Sequence, residues 1–212
     1  MKILITGGSR GIGKSIVSIF RDNKHEVYSP TRDQLNLLDI DIKLVKTNFD
    51  IVINNAGINP LIHIQNINNE DVMRVNYFSP FKIIQQCLPY MINQSYGRIV
   101  NIGSIWIELA KPARAAYAAS KHALHSLTKA LTAEYAQYNI LSNTISPGFI
   151  GTDLTYQNNT IEQIDQIIKN IPSRRLGDPD EVAKLVYQMT VENTFITGQN
   201  IMIDGGYTCT AH

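Results

Sequence analysis

The chain has 212 residues, enough for one domain with a sizeable core. Its 19 Lys plus Arg against 18 Asp plus Glu leave a formal charge of +1, which removes any general electrostatic reason to expect nucleic acid or an anionic membrane as partner. Apolar runs such as Ile51-Val52-Ile53 and Ile99-Val100 fall far short of the roughly 20 residues that a membrane span needs.

In chain order, Ile3 to Ile5 reads as a short buried strand that runs straight into Thr6-Gly7-Gly8. That leaves no room for the apolar core of a signal peptide, so a cytoplasmic protein is expected. Cys87 and Cys209, which lack metal-ligand or CxxC spacing, agree with a reducing compartment and with the absence of a metal site. A glycine-rich turn leads into a helix from about 11 to 20, and a second strand follows at 26–29. The stretch 31–49 is short for two strand-helix units. It is expected to hold a brief strand at 34–37 and then a helix over 40–47 capped by Asp39, with no helix before that strand. Further strands are expected at 50–53, 98–101, 140–145 and 200–203, and helices at 70–92, 115–137, 160–170 and 179–190.

This alternation, with strands that are continuous apolar runs, argues for a parallel sheet covered by helices on both faces. Right-handed crossovers then give an α/β, doubly wound, three-layer architecture. No linker, repeat or low-complexity tract divides it, so residues 1–212 are expected to form a single domain.

Two patterns carry chemistry. Thr6-Gly7-Gly8-Ser9-Arg10-Gly11-Ile12-Gly13 lies between the first strand and the first helix. There glycines admit positive φ and close backbone approach to a pyrophosphate, and the helix start supplies amide donors. Tyr117 and Lys121 stand four residues apart, on one face of the expected helix. A fixed ammonium favours the phenolate and moves the tyrosine toward the range in which it exchanges a proton with an alcohol or a carbonyl.

The glycine spacing departs from GxGxxG and resembles the turn of the short-chain dehydrogenase/reductase family, Thr-Gly-x-x-x-Gly-x-Gly, whose catalytic signature is Tyr-x-x-x-Lys. Asn54-Asn55-Ala56-Gly57, Val75-Asn76, Asn101-Ile102-Gly103-Ser104, Pro147-Gly148 with Thr152, and Thr197-Gly198-Gln199 with Ile203-Asp204-Gly205-Gly206 follow in the family's order. The resemblance implies a Rossmann fold and a reductase similar to those that reduce 3-oxoacyl groups on acyl carrier protein. It also implies a catalytic set of Ser104, Tyr117, Lys121 and Asn76. For the cofactor it implies contacts from Gly7, Ser9, Arg10, Gly11, Ile12 and Gly13 in the turn, and from Thr31, Arg32, Asn36 and Leu37 after the second strand. Asn55, Ala56 and Gly57, then Tyr117 and Lys121, then Pro147, Gly148, Ile150 and Thr152 complete that set.

Aligned to the family, Thr31 takes the place of the acid that binds the adenosine ribose in NAD enzymes, and Arg32 follows it. With Arg10, that implies NADP(H) over NAD; a register two residues on would bring in Asp33 and reverse the preference. Asn36-Leu37 stands where the family usually has Asp and an apolar residue beside the adenine.

By the same resemblance, Tyr117 exchanges the proton, Ser104 orients the carbonyl, Lys121 lowers the pKa of the tyrosine and holds the nicotinamide ribose, and Asn76 holds a water that resupplies the proton. The substrate is expected to be a small carbonyl or alcohol, set by residues around 58–63, after Ser104, and over 149–170. Trp106, Glu108, His63, Phe149 and Tyr156 are candidates, with Lys111, Arg114, Arg174 and Arg175 as basic groups near the mouth. A homodimer or homotetramer is implied. A sensor without turnover and an NAD-dependent alcohol or keto-sugar dehydrogenase are the alternatives.

Overall fold

The computed structural model of the protein describes residues 1–39 and 41–210. The elements in chain order are β1 (Lys2–Ile5), α1 (Gly11–Asp22), β2 (Glu26–Tyr28), β3 (Ile51–Asn54), α2 (Glu70–Met73), α3 (Ser79–Asn93), β4 (Gly97–Ile102), α4 (Ala115–Tyr135), β5 (Ile140–Pro147), α5 (Asp153–Gln157), α6 (Ile161–Asn170), α7 (Pro179–Tyr187) and β6 (Asn200–Ile203). The strands form a six-stranded sheet in the order β2-β1-β3-β4-β5-β6, and each neighbouring pair is parallel.

Side chains alternate across a strand, so β1 feeds two cores at once. Ile3 and Ile5 pack with Ile16 and Phe20 of α1 and Val182 and Val186 of α7. Leu4 faces the other way, with Ile83 and Met91 of α3 and Leu124 and Leu131 of α4. Because both faces are covered, β3, β4 and β5 are buried along their whole length. The unbroken apolar runs in the sequence have this cause.

From β1 the chain steps outward to β2, then returns to place β3 on the other side of β1. The order therefore reverses between β1 and β3, and a crevice opens beyond their carboxyl ends. The glycine turn lines this crevice from one side and Asn55 to Gly57 from the other.

The stretch 31–49 departs from expectation. No strand forms at 34–37, because the amides of Gln34 and Leu35 donate back to the Thr31 carbonyl at 3.1 and 3.0 Å and are not available to a ladder. Of the helix expected over 40–47, Ile40 lies outside the described residues, and 41–47 are not helical. Ile42 and Leu44 sit two apart, a strand-like rather than a helical period. Gln86 of α3 clamps this backbone, donating to the Ile42 carbonyl at 3.0 Å and accepting from the Leu44 amide at 2.9 Å. The three-residue β2 is thus the sheet edge.

The helix expected over 70–92 forms with a change of pitch: a π turn at Arg74–Phe78 joins α2 to α3 and carries Asn76. Such wide turns recur at functional sites. Elsewhere the expected boundaries hold to within two or three residues, apart from the helix at 179–190, where α7 passes into a second π turn at Gln188–Glu192.

Candidate active site

The glycine turn is shaped by contacts that only glycine permits at two points. Gly7 adopts φ +69, and a Cβ there would lie 2.8 Å from Ala56 Cα. At Gly13 a Cβ would meet the Gly7 carbonyl oxygen at 2.0 Å, which presses the first turn of α1 against the loop. Asn55 ties the loop to β3: its Nδ2 donates to the Thr6 and Gly7 carbonyls at 3.1 and 2.9 Å, while the Asn55 and Ala56 amides donate to Thr6 Oγ1. The first turn of α1 has no side-chain cap and no acidic residue, so its amides and partial positive charge are left to face the crevice.

On the opposite wall, β4 ends at Ile102 and Ser104 follows, 7% exposed, its Oγ accepting from the Trp106 amide at 3.4 Å. Helix α4 brings Tyr117 and Lys121 to the same wall on successive turns. Lys121 Nζ donates to the Ile102 carbonyl at 2.7 Å and lies 5.6 Å from the Tyr117 ring centre. Burial pulls the Lys121 pKa down to about 8. Burial raises that of Tyr117, opposed by a hydrogen bond with Ser104 and by the charge of Arg114. The phenol is therefore held protonated at neutral pH, the reverse of the net lowering expected from Lys121 alone.

Asn76 is fully buried beneath this wall. Its Oδ1 accepts from the Ile58 amide at 2.9 Å, and its Nδ2 donates to the Ile58 carbonyl at 2.9 Å and to Ser120 Oγ at 3.0 Å. Ser120 Oγ donates in turn to the Tyr117 carbonyl at 2.7 Å, so Asn76 stitches the loop after β3 to the helix turn that carries Tyr117.

Two connected cavities of about 400 and 640 Å³ occupy the crevice and share Gly7, Ser9, Ala56 and Gly57. The smaller holds Ser104, Tyr117 and Lys121, with Arg10, Gly11, Ile12, Gly13 and Asn55 on one side and Pro147, Gly148, Ile150 and Thr152 on the other. The larger holds Thr31, Arg32, Asn36 and Leu37. All the expected site residues thus line one crevice except Asn76, which lies behind it. Asp33 is not among the lining residues.

Of the substrate candidates, Trp106 and Phe149 line the smaller cavity, their rings edge to face at 6.2 Å. His63, Glu108 and Tyr156 line neither cavity. Arg175 is paired with Glu181 at 2.7 Å, and Arg174 donates to the Lys169 carbonyl. Arg114 does enter the cavity. Arg21, from the end of α1, also lines the larger cavity, and Asn59 lines the smaller; neither belongs to the expected set. Arg21 lies eight residues beyond Gly13, outside every motif, and only its side chain's reach reveals it.

The sequence profile of the family described as Enoyl-(Acyl carrier protein) reductase matches residues 40–208. The chain belongs to the short-chain dehydrogenase/reductase family. It is 31% identical to the 3-oxoacyl-[acyl-carrier-protein] reductase FabG of Vibrio cholerae serotype O1, over 96% of this chain and 95% of that protein. It is 35% identical, with the same coverage, to the reductase of that name from Buchnera aphidicola subsp. Schizaphis graminum. Among solved structures, a 4-hydroxyisoleucine dehydrogenase mutant complexed with NADH and succinate matches at 30% identity with a TM-score of 0.89, covering 100% of both chains. A gluconate 5-dehydrogenase from Burkholderia cenocepacia in complex with NADP and tartrate matches at 27% identity with a TM-score of 0.85, over 99% of this chain and 96% of that one.

This short-chain dehydrogenase/reductase is an NAD(P)-dependent oxidoreductase acting on the alcohol/carbonyl pair. Its crevice fits such a cofactor: glycine positions keep the turn open to close approach, and the amides at the start of α1 suit a pyrophosphate. No helix among the described residues is long and apolar enough to cross a membrane.

Proposed function

We propose that this enzyme is an NADP(H)-dependent reductase of small carbonyl compounds, or the corresponding alcohol dehydrogenase, working through Ser104, Tyr117, Lys121 and Asn76. The observation that carries the reading is the meeting of Ser104, Tyr117 and Lys121 on one cavity wall across from the glycine turn.

The nicotinamide, when bound, supplies or accepts the hydride. The protein's own residues do the rest. Ser104 donates to the substrate oxygen and fixes its direction. Tyr117, kept protonated by burial, gives its proton to that oxygen as charge builds there. Lys121 stands behind it, holds the nicotinamide ribose and offers the replacement proton, for which a pKa of about 8 is suited. A Cβ built on Gly57 would lie 3.3 Å from Asn76 Oδ1 and 3.6 Å from Lys121 Nζ, so both atoms border one small space, which a water placed there would bridge. Asn76 uses both its amide protons on Ile58 and Ser120 and keeps an oxygen lone pair for that water.

Gly7, Ser9, Gly11, Ile12 and Gly13 hold the pyrophosphate, Asn36 and Leu37 with Asn55, Ala56 and Gly57 bracket the adenosine half, and Pro147, Gly148, Ile150 and Thr152 hold the nicotinamide. Thr31 stands where an acid would repel a 2′-phosphate, Arg32 and Arg21 line the same cavity, and Arg10 sits in the turn, which together favour NADP(H). The NADH in the 4-hydroxyisoleucine dehydrogenase structure keeps an NAD-dependent reaction as the second reading. The retained Ser104, Tyr117 and Lys121 disfavour a sensor. On this reading residues 1–212 are a single domain that assembles as a homodimer or homotetramer; Phe78 and Phe81, 50% and 41% exposed beside Tyr77, are suited to a contact between copies.

The test is cofactor oxidation with a panel of ketones, aldehydes, 3-oxoacyl thioesters and oxo acids. We expect kcat/KM to favour NADPH over NADH by about tenfold or more, and Tyr117→Phe to lose roughly a thousandfold in kcat while still binding NADPH. Turnover by Tyr117→Phe within about tenfold of wild type removes the role given to the phenol.

A further inference from the structure

Arg114 lines the smaller cavity and, beyond its pull on the Tyr117 pKa, passes no proton in the reduction. Arg114 is the N-cap residue of α4, three positions before Tyr117, and both line the smaller cavity. Its Nη1 is buried and has no hydrogen-bond partner among the described residues. The two ion pairs found among the described residues, Lys82–Asp41 and Arg175–Glu181, do not include it. Burial lowers its pKa and the nearby Tyr117 raises it; a guanidinium stays charged under such pressure. A buried donor on a charged group, left unpaired, carries a desolvation cost that a bound anion relieves.

The surroundings suit a small anion. Arg114 Cζ and Lys111 Nζ each lie 5.9 Å from the ring centre of Trp106. Asn59, from the loop after β3, also lines this cavity; its buried, unpartnered Oδ1 is an acceptor, open to a donor on the substrate and not to the carboxylate. The one acid among the lining residues, Asp153, is exposed at the start of α5 and forms no ion pair with Arg114.

We propose that Arg114 binds a carboxylate of the substrate, and that the substrate is a short 2-oxo or 3-oxo acid, or the matching hydroxy acid. This rests on the reading of Ser104 and Tyr117 as the carbonyl end of the site. Arg114 and Tyr117 line the same small cavity, so one short molecule can set its carboxylate on Arg114 and its carbonyl oxygen at Tyr117. The planar fork of a guanidinium matches a carboxylate in two parallel bonds. A neutral ketone or a thioester-linked acyl chain leaves that fork empty.

Trp106 is the chain's one tryptophan, so its fluorescence reads this cavity without turnover. Titration of the protein with succinate is expected to saturate, with dimethyl succinate at least about tenfold weaker and sodium chloride at equal ionic strength without effect. Arg114→Met should weaken succinate by more than about tenfold, and Arg114→Lys by less. In turnover, the kcat/KM preference for a 3-oxo acid over its methyl ester should fall about thirtyfold or more in Arg114→Met, mainly through KM. Equal responses to succinate and its diester, undiminished succinate binding by Arg114→Met, or an unchanged acid-to-ester ratio would each overturn the proposal. A change confined to the pH profile would do so too, because it would leave Arg114 only a tuner of Tyr117. Should Arg114→Met fail to fold, the succinate and diester comparison on the native protein, with Arg114→Lys, decides. Active Tyr117→Phe together with Arg114-dependent succinate binding would remove the proton mechanism alone. Inactive Tyr117→Phe without succinate binding would remove the carboxylate site alone.

Discussion

Lys121 is 3% exposed, donates to the Ile102 carbonyl and ion-pairs with no carboxylate among the described residues. Burial brings its pKa from the ordinary 10.5 to about 8. Below about pH 8 the folded and unfolded chains both carry this proton. Between about 8 and 10.5 the unfolded chain still holds it and the folded chain has released it, so raising the pH favours folding. Denaturant titrations of the cofactor-free protein should show stability from this group rising across that window, on the order of 2–3 kcal/mol. Lys121→Met should lack the rise. A parallel pH dependence in the two proteins would mean that Lys121 is not held in a desolvated state. The spacing of Tyr117 and Lys121 is legible in the sequence because four residues of helix always bring two side chains to one face. The direction of the Tyr117 shift is not, because it is set by burial, which the whole fold decides and which outweighs the lowering by Ser104 and Arg114.

The glycine turn and the segment before β3 show how far an element can be read locally. Gly13 is a packing requirement: an added methyl would lie 2.0 Å from the Gly7 carbonyl and 2.5 Å from Asn55 Nδ2, the group that braces the loop. Gly13→Ala should therefore weaken NADPH binding by more than about tenfold in calorimetry and lower stability by about 2 kcal/mol. Binding within about twofold of wild type would mean that the turn can shift without losing its shape. The turn was legible because strand, glycines and helix are contiguous. The stretch 41–49 was not, since Gln86, about 40 residues on, supplies the hydrogen bonds that hold Ile42 and Leu44 extended. Gln86→Ala should cost about 1–3 kcal/mol by leaving those backbone groups unpaired, read as a lower denaturation midpoint. An unchanged midpoint would show that water replaces the clamp.

For the whole molecule, the reversal of strand order between β1 and β3 gathers loops far apart in the chain around one crevice. The exposed Phe78 and Phe81 lie near the π turn that carries Asn76. Light scattering is expected to find a dimer or tetramer, and Phe78→Glu with Phe81→Glu to shift it toward monomer, because a charge at the centre of an apolar contact is left unpaired. A native monomer at micromolar concentration would remove the assembly reading. By itself the sequence determined the alternation of strands and helices, the phosphate turn and the Tyr117–Lys121 pair, since each depends on neighbours within a few residues. Tertiary structure alone decided that, among the described residues, the sheet has no strand between β2 and β3 and Arg114 enters the crevice without a counterion, and that Arg21 reaches it. Whether a backbone amide joins a ladder or a charge finds a counterion depends on what the rest of the chain brings beside it.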